Sequence, residues 1–456
     1  MILQLLFLFI SVWMYLQAPQ SMDKTFMGGC LLLSAFSLIV YFYSEKKNDR
    51  FNLSPQLLRH SVFFIILYVI VFFQVDIDYI LGIIGTDNSR LWIDNRIVAK
   101  ALALSCVGLN SLLCGLQFYT LRDKNYSGDI DIYISSPKHL CLLGYIMLFA
   151  YIALTDTSYL VGGYTRGEEN STNYVIMVLL QSVIIAMCVL YGYKIKKNNK
   201  KTLDWRQYRY PLLLLLLYIF VIVISGRRGS AIRIGSLMLI VYAYVMELRI
   251  NYKNVLLCIV GAVLLFSLVG IMRGDTTSVK EGFDALSEQE TIMPATREMA
   301  NSVNTLHIAV SEVPERIGYN YGLTFFHTFC VLIPGLDRFY RSFLADGVVM
   351  DSAEFLTYTY FGKDIEYGLG SSVIADIYIS FGMTGVIIVM FLLGAFLKYL
   401  EIRTFYRMTS LYVLAISFCC YSQFPAVCRG AVSSLFLSVS YSCVLICFFT
   451  RKIEKK

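Results

Sequence analysis

The sequence predicts an all-α polytopic membrane protein, with about 12 transmembrane helices and one large extracytoplasmic loop. Three observations carry this reading. Charged residues are only 16% and hydrophobic residues 57% of 456, against ~25% charge in a soluble domain. Apolar runs of about 17–20 residues recur, the length that crosses ~30 Å of hydrocarbon as a helix. Lys and Arg gather in alternate connecting segments, as the positive-inside rule requires. Lipid offers no water to the peptide groups, so such runs must be helical.

The candidate spans are 2–18, 25–43, 60–75, 98–119, 139–155, 173–193, 210–225, 234–248, 254–272, 378–397, 409–424 and 431–450. The first run, MILQLLFLFISVWMYLQAPQ, has no basic leader and no small-residue cleavage site, so it reads as a retained helix. With both termini cytoplasmic, the cytoplasmic segments hold 23 Lys and Arg and the opposite short loops 8. KIKKNNKKTLDWRQYR (194–209) contributes most to that asymmetry. The long loop is left out, because long segments translocate largely regardless of charge.

The chain thus divides into 1–272 with nine helices, a periplasmic loop 273–377, and 378–456 with three helices. From Arg273 to Asp376 the loop holds 7 Lys and Arg and 15 Asp and Glu. Loops of this length are usually functional. TREMANSVNTLHIAVSEV (296–313) reads as a polar helical stretch within it. GLTFFHTFCVLIPG (322–335) is apolar, too short to span and ends in Pro-Gly, so it reads as re-entrant or interfacial.

The net charge of +7 comes mostly from short loops between apolar runs and implies no nucleic-acid partner. The 12 cysteines lie mostly inside apolar runs, Cys106, Cys114, Cys188, Cys258 and Cys443 among them, and form no C-x-x-C pair. They read as small hydrophobic fillers. His60, His139, His307 and His327 make no spaced cluster with them, so neither a metal site nor a cofactor is expected.

Three arginine sites lie on the side where Lys and Arg are otherwise scarce. In SGRRGSAIR (225–233), Gly226 and Gly229 make a tight turn, with Ser230 an N-cap candidate for the next helix. Helix-terminal N–H groups beside the forks of Arg227 and Arg228 suit a phosphate. Arginines snorkelling to the interface are the alternative. Arg429-Gly430, between the last two spans, and Arg273-Gly274, opening the loop, carry the same two readings.

The segment YGLGSSVIADIYISFGMTG (367–385) is apolar, punctuated by Gly368, Gly370, Gly382 and Gly385, and carries one acid, Asp376. If helical from 371, it places Asp376 where the chain enters the membrane. An ionisable group there is a functional candidate; a solvent-facing carboxylate is the alternative. His327 is the best-placed neutral base on this side, though a lone histidine is often structural. Tyr358, Tyr360 and Tyr367, with Asp364 and Glu366, form a polar–aromatic neighbourhood. Such mixtures hold sugars, and they also occur in interfacial tyrosine belts.

These residues resemble the Wzy-type O-antigen polysaccharide polymerases, also called oligosaccharide repeat unit polymerases. SGRRG (225–229) is similar to the family's S-G-x-R-G turn. Gly368-Leu369-Gly370-Ser371-Ser372, Ala375-Asp376, and Phe381-Gly382 with Gly385 are similar to its G-x-G-x-S, small-acid and F-G-x-x-G signatures. Arg429-Gly430 matches an Arg-Gly turn before the last helix. The family acid is commonly Glu, and here it is Asp. The R-x10-G loops of one branch are not found at these arginines.

The resemblance implies a GT-C-like architecture and a metal-independent glycosyltransferase in the inner membrane, with its active site periplasmic. The donor and acceptor it implies are glycans on undecaprenyl diphosphate, with a chain-length regulator as a possible partner. A leaving diphosphate gains charge and needs cations, for which Arg227, Arg228, Arg273 and Arg429 are the candidates. The acceptor hydroxyl needs a base, with Asp376 first and His327 second. Glu366, Tyr367, Gly368, Gly370 and Ser371 are the candidate substrate loop. An O-antigen ligase, which leans on a loop histidine, and a lipid-linked oligosaccharide flippase are the alternatives. A flippase would have shorter loops. A membrane O-acyltransferase would want a histidine deep in a span.

Overall fold

Apolar runs fold as helices because only an internally satisfied backbone is stable away from water. The computed structural model describes residues 1–48, 59–86, 92, 94–119, 132–134, 137–156, 160, 171–197, 205–225, 227–246, 291–333, 336–343, 351–362, 368–405, 410–430 and 433–452. The helices are α1 (Ile2–Leu16), α2 (Lys24–Asn48), α3 (His60–Ile80), α4 (Val98–Phe118), α5 (Pro137–Leu154), α6 (Ser171–Lys197), α7 (Trp205–Ile224) and α8 (Arg228–Met246). A 3-10 turn (Pro294–Thr296) then leads into α9 (Arg297–Ala300), α10 (Val303–Glu312), α11 (Leu323–Leu332), α12 (Leu336–Arg341) and α13 (Ser352–Phe361). Last come α14 (Val373–Phe405), α15 (Leu411–Cys428) and α16 (Ser433–Phe449). Six of the helices are long and apolar enough to cross a membrane, and six more apolar helices are 10–17 residues long. The expected span 254–272 lies outside the described residues.

Two neighbouring pairs run antiparallel, α2 with α3 and α5 with α6. Asn173 at the start of α6 donates to the carbonyl of Leu154 at the end of α5. Tyr79 near the end of α3 donates to the Met22 carbonyl just before α2. The segment that begins at Thr291 starts at the end of the bundle where α3 ends, since Asp78 of α3 holds it. The Asp78 carboxylate accepts from Thr291 Oγ1 at 2.5 Å, Ile292 N at 3.0 Å and Arg297 Nη1 at 3.0 Å. Gln74, one turn earlier, bonds Thr291, Met293 and Thr296. At the opposite end Lys398 joins Glu45 and Glu401, and Ser61 donates to Glu401. A two-stranded antiparallel ribbon, β1 (Ile132–Ile134) with β2 (Thr450–Lys452), closes that end.

α4 is the central helix, buried without interruption from Ala101 to Leu116. It lies against α14 at two glycines. A Cβ on Gly115 would stand 1.9 Å from the Phe391 carbonyl oxygen, and one on Gly394 would stand 2.1 Å from that of Leu112. Small residues let membrane helices approach this closely where no hydrophobic drive holds them together. Interhelical hydrogen bonds add to it: Gln4, Ser37 and Asn110 link α1, α2 and α4. The described cysteines are free thiols, Cys106 and Cys114 among them, mostly buried in the helix packing.

Two features go beyond the sequence reading. The polar stretch 296–313 is helical and largely buried: in α10, Val303, Thr305, Leu306, His307, Ile308, Ala309, Val310 and Glu312 are all buried. It wedges against α3, α4, α13 and α14, and Thr305 on it bonds Ser372. The second feature is α14. It starts at Val373, ahead of the expected 378, and is broken at Gly382, with φ 65° and ψ −162°. That conformation is essentially restricted to glycine. The break frees the Ile379 carbonyl, and the Asn320 N–H caps it at 3.0 Å.

Candidate active site

The broken helix sets up the site. Ser372, just before α14, and Asp376 and Ser380 on its first half recur every four residues, so they share one face. Thr305 of α10 donates to Ser372 Oγ at 3.0 Å. Thr324 of α11 meets Ser380 Oγ at 3.0 Å. The face that carries Asp376 therefore lies between α10 and α11. Asp376 is 2% exposed and sits in the first turn of α14, where the helix dipole favours a negative charge.

The Gly-Ser segment delivers α14 to this position. Gly370 takes φ 76°, and a Cβ there would stand 3.8 Å from the Arg429 carbonyl oxygen. The Leu369 N–H is held by Thr357 Oγ1 of α13 at 3.0 Å. The Ser371 hydroxyl is buried with no hydrogen-bond partner among the described residues. Gly368 packs beside Thr357.

Arg429 follows the last residue of α15 and turns onto α10. Its Nε donates to Ser302 Oγ at 3.2 Å, and Nη2 lies 3.7 Å from Glu298 Oε1. Ser302 is one turn before Thr305, so Arg429 and the Asp376 face are tied to the same short helix.

The turn before α8 faces α15. Arg227 lies over the Tyr151 ring, 6.0 Å from its centroid. Arg228 is the first residue of α8, and its side chain lies outside the described atoms. Arg233 folds back along its own helix: Nε donates to the Gly229 carbonyl and Nη2 to Ser230 Oγ, both at 3.3 Å. A cavity of about 230 Å³ is lined by Gly229, Ile232, Arg233, Pro425, Ala426 and Arg429. Two of the arginine-bearing turns thus meet at one opening.

His327, on α11, has Nδ1 4.0 Å from Asp351 Oδ2. Asp351 also caps α13 through Ala353 N and Glu354 N, so the pair ties α11 to α13. Arg273, Glu366 and Tyr367 lie outside the described residues. Among the described residues no group of three or more His, Cys, Asp or Glu is placed to hold a metal ion.

Sequence reasoning missed Arg233, Ser302, Thr305 and Glu298. Arg233 carried a signal, since it stands four residues after Gly229 and so on the same helix face. The other three lie in a stretch whose local pattern resembles an ordinary surface helix.

Fold and site together define a polytopic helical membrane protein with arginines and a buried carboxylate gathered at one end of the bundle. The whole chain, residues 1–456, matches the O-antigen polysaccharide polymerase Wzy family, and the chain belongs to it. Neither the curated proteins nor the solved structures contain a match to it. Membership makes the chain a membrane-bound polymerase of the glycosyltransferase type, in O-antigen polysaccharide biosynthesis from lipid-linked oligosaccharide repeat units.

Proposed function

We propose that this chain joins undecaprenyl-diphosphate-linked glycans into O-antigen or a related surface polysaccharide, at the loop-bearing end of the bundle and on the periplasmic face. One observation supports this most. In a chain of this family, Arg429 and Ser372, one helical turn before Asp376, are both tied to α10, through Ser302 and Thr305. A carboxylate and a guanidinium on one short strip meet the two needs of glycosyl transfer from a diphosphate. The periplasmic assignment rests on the 23-to-8 asymmetry of Lys and Arg.

The Asp376 carboxylate takes the proton of an acceptor sugar hydroxyl. The hydroxyl oxygen attacks the donor's anomeric carbon. The bond from that carbon to the diphosphate oxygen breaks, and undecaprenyl diphosphate leaves with the electron pair. Its growing charge is balanced by Arg429 and, from the α8 turn and the start of the loop, by Arg227, Arg228 and Arg273. The segment Glu366, Tyr367, Gly368, Gly370 and Ser371 shapes the acceptor side. His327 is the second candidate base, and its contact with Asp351 favours Asp376 over it.

The purified chain in proteoliposomes, given lipid-linked repeat units, tests the reading. The expected product is a ladder of multiples of one unit on undecaprenyl diphosphate. Transfer only to a lipid A core would instead mark a ligase, and movement of units without transfer a flippase.

A further inference from the structure

We infer that the cavity between α8 and α15 binds the diphosphate of the lipid-linked donor, and that Arg233 is a ligand there beside Arg429. The inference rests on the proposed function for the identity of the ligand, and on the cavity for its place.

Two guanidiniums, from α8 and from the end of α15, line one space, and no carboxylate among the described residues lines it. Among the described residues Arg233 bonds a backbone carbonyl and a serine hydroxyl of its own helix, and no acid stands within ion-pair distance of it. A cation with no acid beside it among the described residues, next to a second whose acid stands 3.7 Å away, calls for an anion. Arginine suits phosphate oxygens because its planar fork donates two parallel hydrogen bonds and stays charged at any working pH. The volume, about 230 Å³, is below the ~300–1,000 Å³ of small-molecule pockets. It takes a compact headgroup rather than a repeat unit. Gly229, in the first turn of α8, has nothing within 4 Å of where a Cβ would stand, so a ligand has room to approach the backbone. Glu298, 3.7 Å from Arg429, is the anion that an incoming diphosphate would displace.

Phosphate chemistry is shared by the lipid-linked diphosphate and by phospholipid headgroups, and the test separates them. The full chain is placed in nanodiscs of neutral phosphatidylcholine and titrated with undecaprenyl diphosphate. Arg233→Gln and Arg429→Gln are each expected to weaken binding roughly 10- to 100-fold, the loss of charge-assisted hydrogen bonds. Arg233→Lys, which keeps the charge and loses the fork, falls between. Glu298→Gln is expected to bind several-fold more tightly, a gain that a damaged fold would not produce. Each variant's thermal unfolding is measured alongside. Removing Arg233 orphans no acid among the described residues, so its transition should match the wild type. Unchanged affinity in Arg233→Gln overturns the inference, as does Glu298→Gln binding more weakly. Phosphatidylglycerol that displaces the probe at equal concentration would overturn the assignment to the lipid carrier and leave a headgroup site. A wild-type chain that forms no polymer, yet binds the probe through Arg233, sinks the proposed reaction and not this site.

Discussion

Arg429 and Ser302 meet at 3.2 Å, Nε to Oγ, and this bond joins the end of α15 to the start of α10. One turn further along α10, Thr305 holds Ser372 on α14 at 3.0 Å. A residue before the last helix is thereby linked to the face that carries Asp376, across 53 positions of sequence.

Arg429→Gln should cut polymer formation about 10²–10³-fold, the usual effect of removing one donor aimed at developing negative charge. Polysaccharide chain length in complemented cells reads it, with single units left on the core. Long chains at the wild-type level would remove Arg429 from the chemistry.

Gly382→Ala places a side chain in a conformation open only to glycine, and its Cβ would meet Tyr319 Oη at 2.8 Å. The cost is about 1–3 kcal/mol, felt at the break that positions Asp376. Tyr319→Ala should relieve the clash and leave the backbone strain, so the double variant recovers only in part. Melting temperatures of the three variants in detergent check this. Full recovery would show that the strain is unimportant.

Gly115→Ala and Gly394→Ala should each destabilise the bundle, because the added carbon meets a backbone oxygen at 1.9 and 2.1 Å. No rotamer change relieves a contact with backbone, so α4 and α14 must separate. The control is Gly235→Ala, where nothing lies within 4 Å; it should melt like the wild type.

Asp78→Ala leaves Arg297 without the carboxylate it touches at 3.0 Å, the Asp78 side chain being wholly buried. Breaking a buried pair by removing one partner costs about 3–5 kcal/mol. The segment 291–300 should then become a protease-sensitive site, visible by limited proteolysis. Unchanged protection there would show that Gln74 alone holds the segment.

His307, in α10, is 1% exposed, and neither ring nitrogen has a hydrogen-bond partner among the described residues. Its ring lies over Trp92, 6.2 Å between centroids. Burial pushes it down to about 4, so the folded protein holds it neutral while the unfolded chain protonates near 6.5. The unfolded state therefore gains protons first. The stability tied to this histidine is complete above about pH 6.5 and declines as pH falls toward 4, by up to ~3 kcal/mol. His307→Phe should flatten the acid side of a melting-temperature profile between pH 7 and 4. An unchanged slope would assign that loss to other groups.

Much of the helical frame was legible because length and hydropathy report it directly: α2, α3, α4, α6, α14 and α15 are long apolar runs. The break in α14 was hidden within continuous hydropathy. Its signal was Phe381-Gly382 with Gly385, which the sequence shows as a motif without showing that a helix bends there. The burial of α10 was not legible, because Ser302, Thr305 and His307 are polar residues in a polar stretch. Their partners Arg429, Ser372 and Trp92 are distant in sequence, and hydropathy carries no information about such pairs. The candidate site was read residue by residue, and the structure adds adjacency: Arg429 against the Gly370 backbone, Arg233 against α15, and Asp376 between α10 and α11.

Asp376 is the proposed base for polymer extension. The most direct test is a proteoliposome assay with lipid-linked repeat units, comparing wild type, Asp376→Asn and Asp376→Glu. Asparagine keeps the shape and loses the basicity, so extension should fall by about 10²–10⁴-fold while binding of undecaprenyl diphosphate is retained. Glutamate should keep part of the activity. A full ladder from Asp376→Asn at the wild-type rate would exclude Asp376 as the base.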